Sequence, residues 1–296
     1  MCYTVADIGR FPKICTVTAG KPAGYRNKED YMERKLGIVC ECLPGVARTD
    51  ALPLMAAAGF NCFFTELIDE KAVAELREKG DRLGLTLDFI HAPFRGINDF
   101  WKNNLDYLDL YNRTKQAIDA AAGCGCNMIV MHLSSGWTAP PITDIGLSRF
   151  DALVEYAGEK GVRIAFENIR KFGVLAAMME RYERVPHVGF CYDCGHEHCY
   201  TEDIRYLETF GKRLFCTHIH DNYGRDKEKP MTDADYHLLV GDGNLDFAQM
   251  MREINAVDYS GTLILEVGKK APYEELSNET YLKMAYDRLK AISELK

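Results

Sequence analysis

An α/β barrel of eight parallel strands, (β/α)8, is the fold this 296-residue sequence predicts, and three observations predict it. Short apolar runs alternate with longer helix-like stretches, the pattern of successive βαβ units around a parallel sheet. The length suits one such barrel, whose usual size is about 250 residues. Finally, His91, His132, Glu167, Asp193, His218 and Glu266 each close one of the runs. A barrel of this kind delivers the C-terminal ends of its strands to one shared face, where inward polar residues do chemistry.

Taken in order, the first strand is expected at Leu36–Leu43 and the second at Phe60–Leu67, followed by a helix at Glu70–Leu83. The third strand, Leu85–His91, leads to a helix at Leu105–Ala122, and the fourth, Asn127–Leu133, to one at Leu147–Lys160. Strand five is Val162–Asn168 with a helix at Val174–Tyr182, and strand six is Val188–Asp193 with a helix at Asp203–Phe210. Strand seven is Leu214–Asp221, before a helix at Phe247–Ile254, and strand eight is Thr262–Val267, with Tyr273–Leu295 closing the chain. Gly84, Gly161 and Gly261 stand just before strands, where a glycine ends the preceding helix. Residues 1–35 read as an N-terminal extension and 36–296 as a single barrel, since no repeat or linker divides them.

Composition narrows the function. Thirty-six Lys and Arg stand against 44 Asp and Glu, a net charge of −8. That balance gives no electrostatic reason to expect nucleic acid. Met1 to Arg10 lack a basic start followed by an apolar core, and no stretch approaches ~20 apolar residues, so the expectation is a soluble, cytoplasmic protein without a membrane partner. Eleven cysteines in a chain without an export signal are expected as free thiols. The C-x-x-C of Cys191 and Cys194 has no second pair and reads as buried small side chains.

Strand parity sharpens the site, because alternate residues face the lumen and the helices in turn. In strand five the bulky Ile164 and Phe166 take the helix side, leaving Ala165 and Glu167 inward. The same parity groups Gly189, Cys191 and Asp193, then Met128, Val130 and His132, and in strand eight Ile264 with Glu266. Three inward carboxylates would repel one another unless a cation or raised pKa values relieved them. His, Asp and Glu are the donors a divalent ion prefers.

His91-Ala92-Pro93, the strand end at His132, Glu167-Asn168, Asp193-Cys194-Gly195-His196, His218-Ile219-His220-Asp221-Asn222, Asp235-Tyr236-His237 with Gly241-Asp242-Gly243, and Leu265-Glu266 follow one another along the chain. This ordered set resembles the motifs of the xylose isomerase-like TIM-barrel superfamily, the group of sugar isomerases and epimerases that also includes the endonuclease IV type of DNA repair enzyme. The resemblance runs from strand one to strand eight. It implies a divalent metal (Mn, Zn, Co or Mg) on Glu167, Asp193, His218 and Glu266, as in the sugar epimerases. Further ligands of the endonuclease branch match His91, His132, His196, Asp235 and His237, so one, two or three ions are all compatible.

The expected function is a metal-dependent isomerase or epimerase of a sugar, keto-sugar or related polyol. Glu167 and Glu266 would be the catalytic acid–base pair, acting through a metal-stabilised enediolate. Phe94 and Trp137 would pack on the sugar's C–H face, while His220 and Arg225 would contact substrate oxygens. A homo-oligomer is expected on general grounds. Three alternatives stay open: a lyase or dehydratase on a keto-sugar or inositol-like ketone, an endonuclease IV-like phosphodiesterase, and a non-catalytic metal- and sugar-binding accessory protein. Asp242 between two glycines argues against a phosphate loop. A turn into the following helix, with Asn244 as its cap, is expected instead.

Overall fold

The computed structural model describes residues 34–201 and 204–296. Apart from Arg34 and Lys35, the expected extension lies outside the described residues, as does Asp203, the expected start of one helix. The elements run β1 Leu36–Val39, α1 Arg48–Ala58, β2 Cys62–Thr65, α2 Glu70–Arg82, β3 Thr86–His91, α3 Leu108–Cys124, β4 Met128–Met131 and α4 Asp144–Glu159. The second half contains β5 Arg163–Glu167, α5 Phe172–Arg181, β6 Val188–Asp193, α6 Cys194–Tyr200, α7 Tyr206–Phe210, β7 Leu214–His218, α8 Phe247–Ala256, β8 Leu263–Leu265 and α9 Asn278–Ser293.

All eight expected strands are present, and they form one parallel sheet in the order β7-β6-β5-β4-β3-β2-β1-β8. The two ends meet just beyond β7 and β8. There the Ile219 N–H donates to Ile264 O at 2.8 Å and the Glu266 N–H to Ile219 O at 3.1 Å, which nearly closes the barrel. Strands buried on both faces need continuous apolar runs, and β1, β2, β4 and β8 are buried throughout. Helix-side residues pack as parity requires: Phe166 lies against Phe150 of α4, and Phe190 against Tyr206 and Phe210 of α7. Among the described residues no helix is long and apolar enough to cross a membrane.

Several local expectations need correction. Helix α1 has no counterpart in the sequence reading because Pro53 lies inside it, where proline removes one backbone hydrogen bond. Burial of Ala51, Leu52, Met55 and Ala58 outweighs that loss. Helix α6 was likewise not anticipated; its seven residues carry too short a period to read, and Asp193 caps it by accepting from the His196 N–H at 2.6 Å. Gly84 and Gly161 take the expected left-handed turns, but at the third junction Asp258 (φ 55°) does so rather than Gly261. Asp246, not Asn244, caps α8, by accepting from the Gln249 N–H at 2.9 Å. Asn244 is drawn off by His198, whose Nε2 donates to it at 2.7 Å.

Candidate metal centre

Glu167, at the end of β5, is the hub of the strand C-terminal face. Its Oε2 lies 3.2 Å from His91 Nε2 and 3.0 Å from His132 Nε2. Its Oε1 lies 3.1 Å from His196 Nδ1 and 3.3 Å from His218 Nδ1. His218 Nδ1 is in turn 3.2 Å from Glu266 Oε2 and 3.7 Å from Asp193 Oδ2. One ligand atom from each of Glu167, Asp193, His218 and Glu266 falls within a 4.8 Å cluster, so the four strand-end residues expected together do come together.

Two further sets of donors adjoin this group. On one flank His91 and His132 converge on Glu167, and His91 also groups with His218 and Glu266. On the other, Asp193 groups with His196 and His220, and His220 with Asp235 and His237. His220, a residue expected to contact substrate oxygens, is fully buried, with Nε2 3.1 Å from Asp193 Oδ1 and 3.6 Å from Asp235 Oδ1. Gly195 makes this possible, because a Cβ there would lie 1.9 Å from the His220 ring. His237 sits in a left-handed conformation (φ 43°), stacks on His220 at 4.1 Å and donates from Nδ1 to Glu266 O at 2.7 Å. Its Nε2 is thereby turned to Asp235, 3.2 Å away.

Residues without an assigned role in the sequence reading hold these groups in place. Phe64 and Phe89 stack on each other at 4.7 Å and form an apolar floor under the His218 ring, 5.1 and 5.5 Å from its centroid. Asn168 locks β5 to β6, donating from Nδ2 to Asp193 O and accepting the Asp193 N–H, both at 2.8 Å. Its carbonyl also accepts from His196 Nδ1 at 2.9 Å. Its place beside Glu167 was the one sequence signal for it. The aromatic floor was visible only as inward parity in two apolar strands.

The electrostatics follow from burial among opposite charges. Burial alone would push the Glu167 carboxyl up, but the imidazoles of His132 and His218 hold it well below the usual carboxylate range. Burial would likewise raise Glu266, yet His218 and His237 hold it low. His218 is lifted well above the ordinary imidazole value against the cost of burial by Glu266 and Glu167, and His196 is lifted by Asp193 and Asp235. His132 goes the other way, because desolvation outweighs its one carboxylate neighbour. Glu167 Oε1, both nitrogens of His218 and Asp235 Oδ1 are buried without a hydrogen-bond partner. Orphaned donors and acceptors of that chemistry, converging within coordination reach, fit a divalent cation.

Of the residues expected to contact substrate, Phe94 adjoins this centre, and Trp137 and Arg225 lie further out. Phe94 is 40% exposed, stacks on His132 at 4.1 Å and lines a cavity of about 490 Å³ with Glu66, His91, Arg95, Arg113 and Ser135. Trp137 stands one ring further out, edge-on to Tyr200 at 5.6 Å, and Tyr200 stacks on His196 at 5.2 Å. The Arg225 guanidinium covers Trp137 at 4.7 Å while its Nε donates to Pro230 O at 3.1 Å.

The family model of the xylose isomerase-like TIM barrel matches residues 52–292. An uncharacterised protein of Methanocaldococcus jannaschii is 26% identical over 220 residues, covering 69% of this chain and 72% of that protein. Among solved structures, a D-tagatose 3-epimerase-like protein superposes with a TM-score of 0.67 at 22% identity, covering 88% of this chain and 98% of that one. The 3-keto-D-glucoside 4-epimerase of E. coli superposes with a TM-score of 0.66 at 15% identity, covering 88% and 100%. At such identities the likeness of the two structures is one of fold.

Proposed function

This chain belongs to the xylose isomerase-like TIM-barrel family, and we propose that it is a divalent-metal-dependent isomerase or epimerase of a sugar, keto-sugar or related polyol. One observation carries the reading: two carboxylates, Glu167 and Glu266, flank His218 at 3.3 and 3.2 Å within a single four-donor cluster. The sugar epimerases among its structural neighbours are consistent with it.

Glu167, Asp193, His218 and Glu266 would hold the ion. When bound, it supplies Lewis acidity toward a substrate carbonyl and neighbouring hydroxyl, which acidifies the C–H between them. The chain's own residues do the rest. Glu167 or Glu266 takes the proton from one face of that carbon, and the other carboxylate returns one to the opposite face. Both are held ionised by neighbouring imidazoles and so start as bases. Phe94, open to the cavity, offers an apolar surface to the sugar's C–H face, and His91 lines the same wall.

The test is Mn²⁺-loaded protein with a panel of ketoses in deuterium oxide, read by NMR for exchange at the carbon beside the carbonyl. Exchange with inversion is expected, and Glu167→Gln should abolish it with the circular dichroism unchanged. Turnover surviving in Glu167→Gln would sink the assignment. Loss of water or of a leaving group from the same substrates would identify a lyase instead.

A second reading draws on the flanking donor groups, His91 with His132 and His220 with Asp235 and His237. Their number suits two or three ions and hydrolytic, endonuclease IV-like phosphodiester chemistry. Nicking of an abasic duplex, with more than one bound ion per chain, would establish it.

A further inference from the structure

Far from the metal centre along β4, at the opposite end of that strand from His132, the sequence Gly123-Cys124-Gly125-Cys126 turns from α3 into β4. Nine cysteines are free among the described residues, and seven of them are buried; only Cys124 and Cys126 reach solvent. The turn gathers them. Gly125 adopts φ 73°, a left-handed conformation that favours glycine. The Cys126 N–H and the Cys124 thiol both point to one acceptor, Ala121 O, at 3.1 and 3.6 Å.

Residues two apart cannot stand more than about 7 Å from each other at Cα, and a turn between them brings the pair into the range a disulfide spans. The two thiols are close enough for each to act on the other's ionisation. We propose that Cys124 and Cys126 are a redox-active dithiol, a modification site on the protein that takes a small disulfide such as glutathione disulfide as its co-reactant.

The chemistry balances as two exchanges. The Cys124 thiolate attacks one sulfur of glutathione disulfide, breaking its S–S bond and releasing one glutathione thiolate. The Cys126 thiol then loses its proton, attacks Cys124 Sγ in the mixed disulfide and releases the second glutathione. Two protein thiols are oxidised by two electrons, and one glutathione disulfide is reduced to two glutathiones. The asymmetry of the pair supports these roles. The neighbouring Cys126, helped by Arg77, draws Cys124 down from its ordinary thiol value, while Cys126 is pushed up by Cys124 and by burial. A lowered thiol is the attacking one. Cys126 also contacts Asp88 O at 3.6 Å and Met128 O at 3.5 Å, so closing the disulfide draws its sulfur away from the start of β4.

The experiment uses the full chain, reduced and then equilibrated in glutathione redox buffers, with peptide mapping by mass spectrometry to assign each thiol. The mapping keeps Cys2 and Cys15 from entering the count. The expected result is a Cys124–Cys126 peptide two hydrogens lighter, formed in the wild type without a stable adduct. Cys126→Ser should trap glutathione on Cys124, and Cys124→Ser should lower the rate of thiol loss at Cys126 at least tenfold. The proposal is overturned if the wild type retains both thiols in oxidising glutathione buffer, or if Cys126→Ser collects no adduct. The wild-type peptide decides the matter even where a variant folds poorly.

Discussion

Two irregular loops carry site residues, and opposite charges organise them. Residues 92–107, which follow β3 and present Phe94, are gathered by Arg149 from the middle of α4. Its Nη1 donates to Asp99 O, Phe100 O and Lys102 O at 2.8–2.9 Å and its Nη2 to Asn104 O at 3.0 Å, with the guanidinium over the Tyr107 ring at 3.5 Å. Residues 219–246, which follow β7 and present Asp235 and His237, are gathered by Asp221. Its Oδ1 accepts the Asn222 and Leu245 N–H groups at 2.9 and 3.1 Å, and its Oδ2 those of Gly241 and Gly243 at 2.9 and 3.0 Å. Apart from a short 3-10 helix at Ile97–Trp101 in the first, both loops lie outside regular helix and strand, which leaves backbone groups of both polarities without ladder partners. One loop is satisfied through its carbonyls by a cation from a distant helix, the other through its amides by an anion of its own. The second arrangement binds tighter to the centre, because Asp221 follows His220 directly and its backbone pairs with Leu238, beside His237.

The strongest way to break the comparison is Asp221→Ala. It leaves four amides without their buried acceptor, and a loss of about 3–5 kcal/mol is expected in urea denaturation. Cation affinity should fall with it as Asp235 and His237 lose their support. Gly243→Ala should reproduce the effect on binding, since a Cβ there would lie 2.2 Å from Asn222 O and 2.3 Å from Asp221 Oδ1. Arg149→Met is the matching cut on the other loop, with an expected loss of about 2–4 kcal/mol. It should weaken substrate binding at the Phe94 wall while leaving cation affinity near the wild-type value. Equal damage to cation affinity from both changes would refute the distinction.

The flanks also differ in the proton they hold. Burial would lower His237, but its hydrogen bond to Asp235 and the charge of Glu266 lift it to about 9. In metal-free protein at neutral pH its imidazole is therefore protonated, and a coordinating imidazole must be neutral. Cation binding should release a proton there, seen as a dependence of the calorimetric enthalpy on the buffer's ionisation enthalpy. His237→Ala should reduce the number released and His132→Ala should not, because His132 is lowered and already neutral. The smallest effect is expected from Phe94→Leu, a KM increase of a few-fold with kcat unchanged, equivalent to about 1 kcal/mol or less of packing on the substrate.

Legibility along the chain follows the period of the structure. The strand ends at His91, Glu167, Asp193, His218 and Glu266 could be read because a two-residue period in an apolar run states both a strand and its inward face. Helix α1 escaped because Pro53 breaks the local rule that burial restores, and α6 because seven residues make only two turns. Asn168 and His220 lay in plain view within motifs, but their partners come from β6 and from the loop at Asp235. Arg149 had no signal at all; a charged residue on a helix reads as solvent-facing until the loop beneath it is seen.

Sequence by itself determined the order of the eight strands, the inward face of the strands that carry the donors and the kinds of donor brought to one end of the barrel. These are local or periodic properties, written in residues two or four apart. Tertiary structure alone decided which donors share an ion-sized space, that Phe64 and Phe89 floor His218, and that Gly195 makes room for His220 between two carboxylates. It alone also decided that Arg149 and Asp221 hold the rim. Those facts depend on distances between residues far apart in the chain, and such distances are fixed only when the barrel closes.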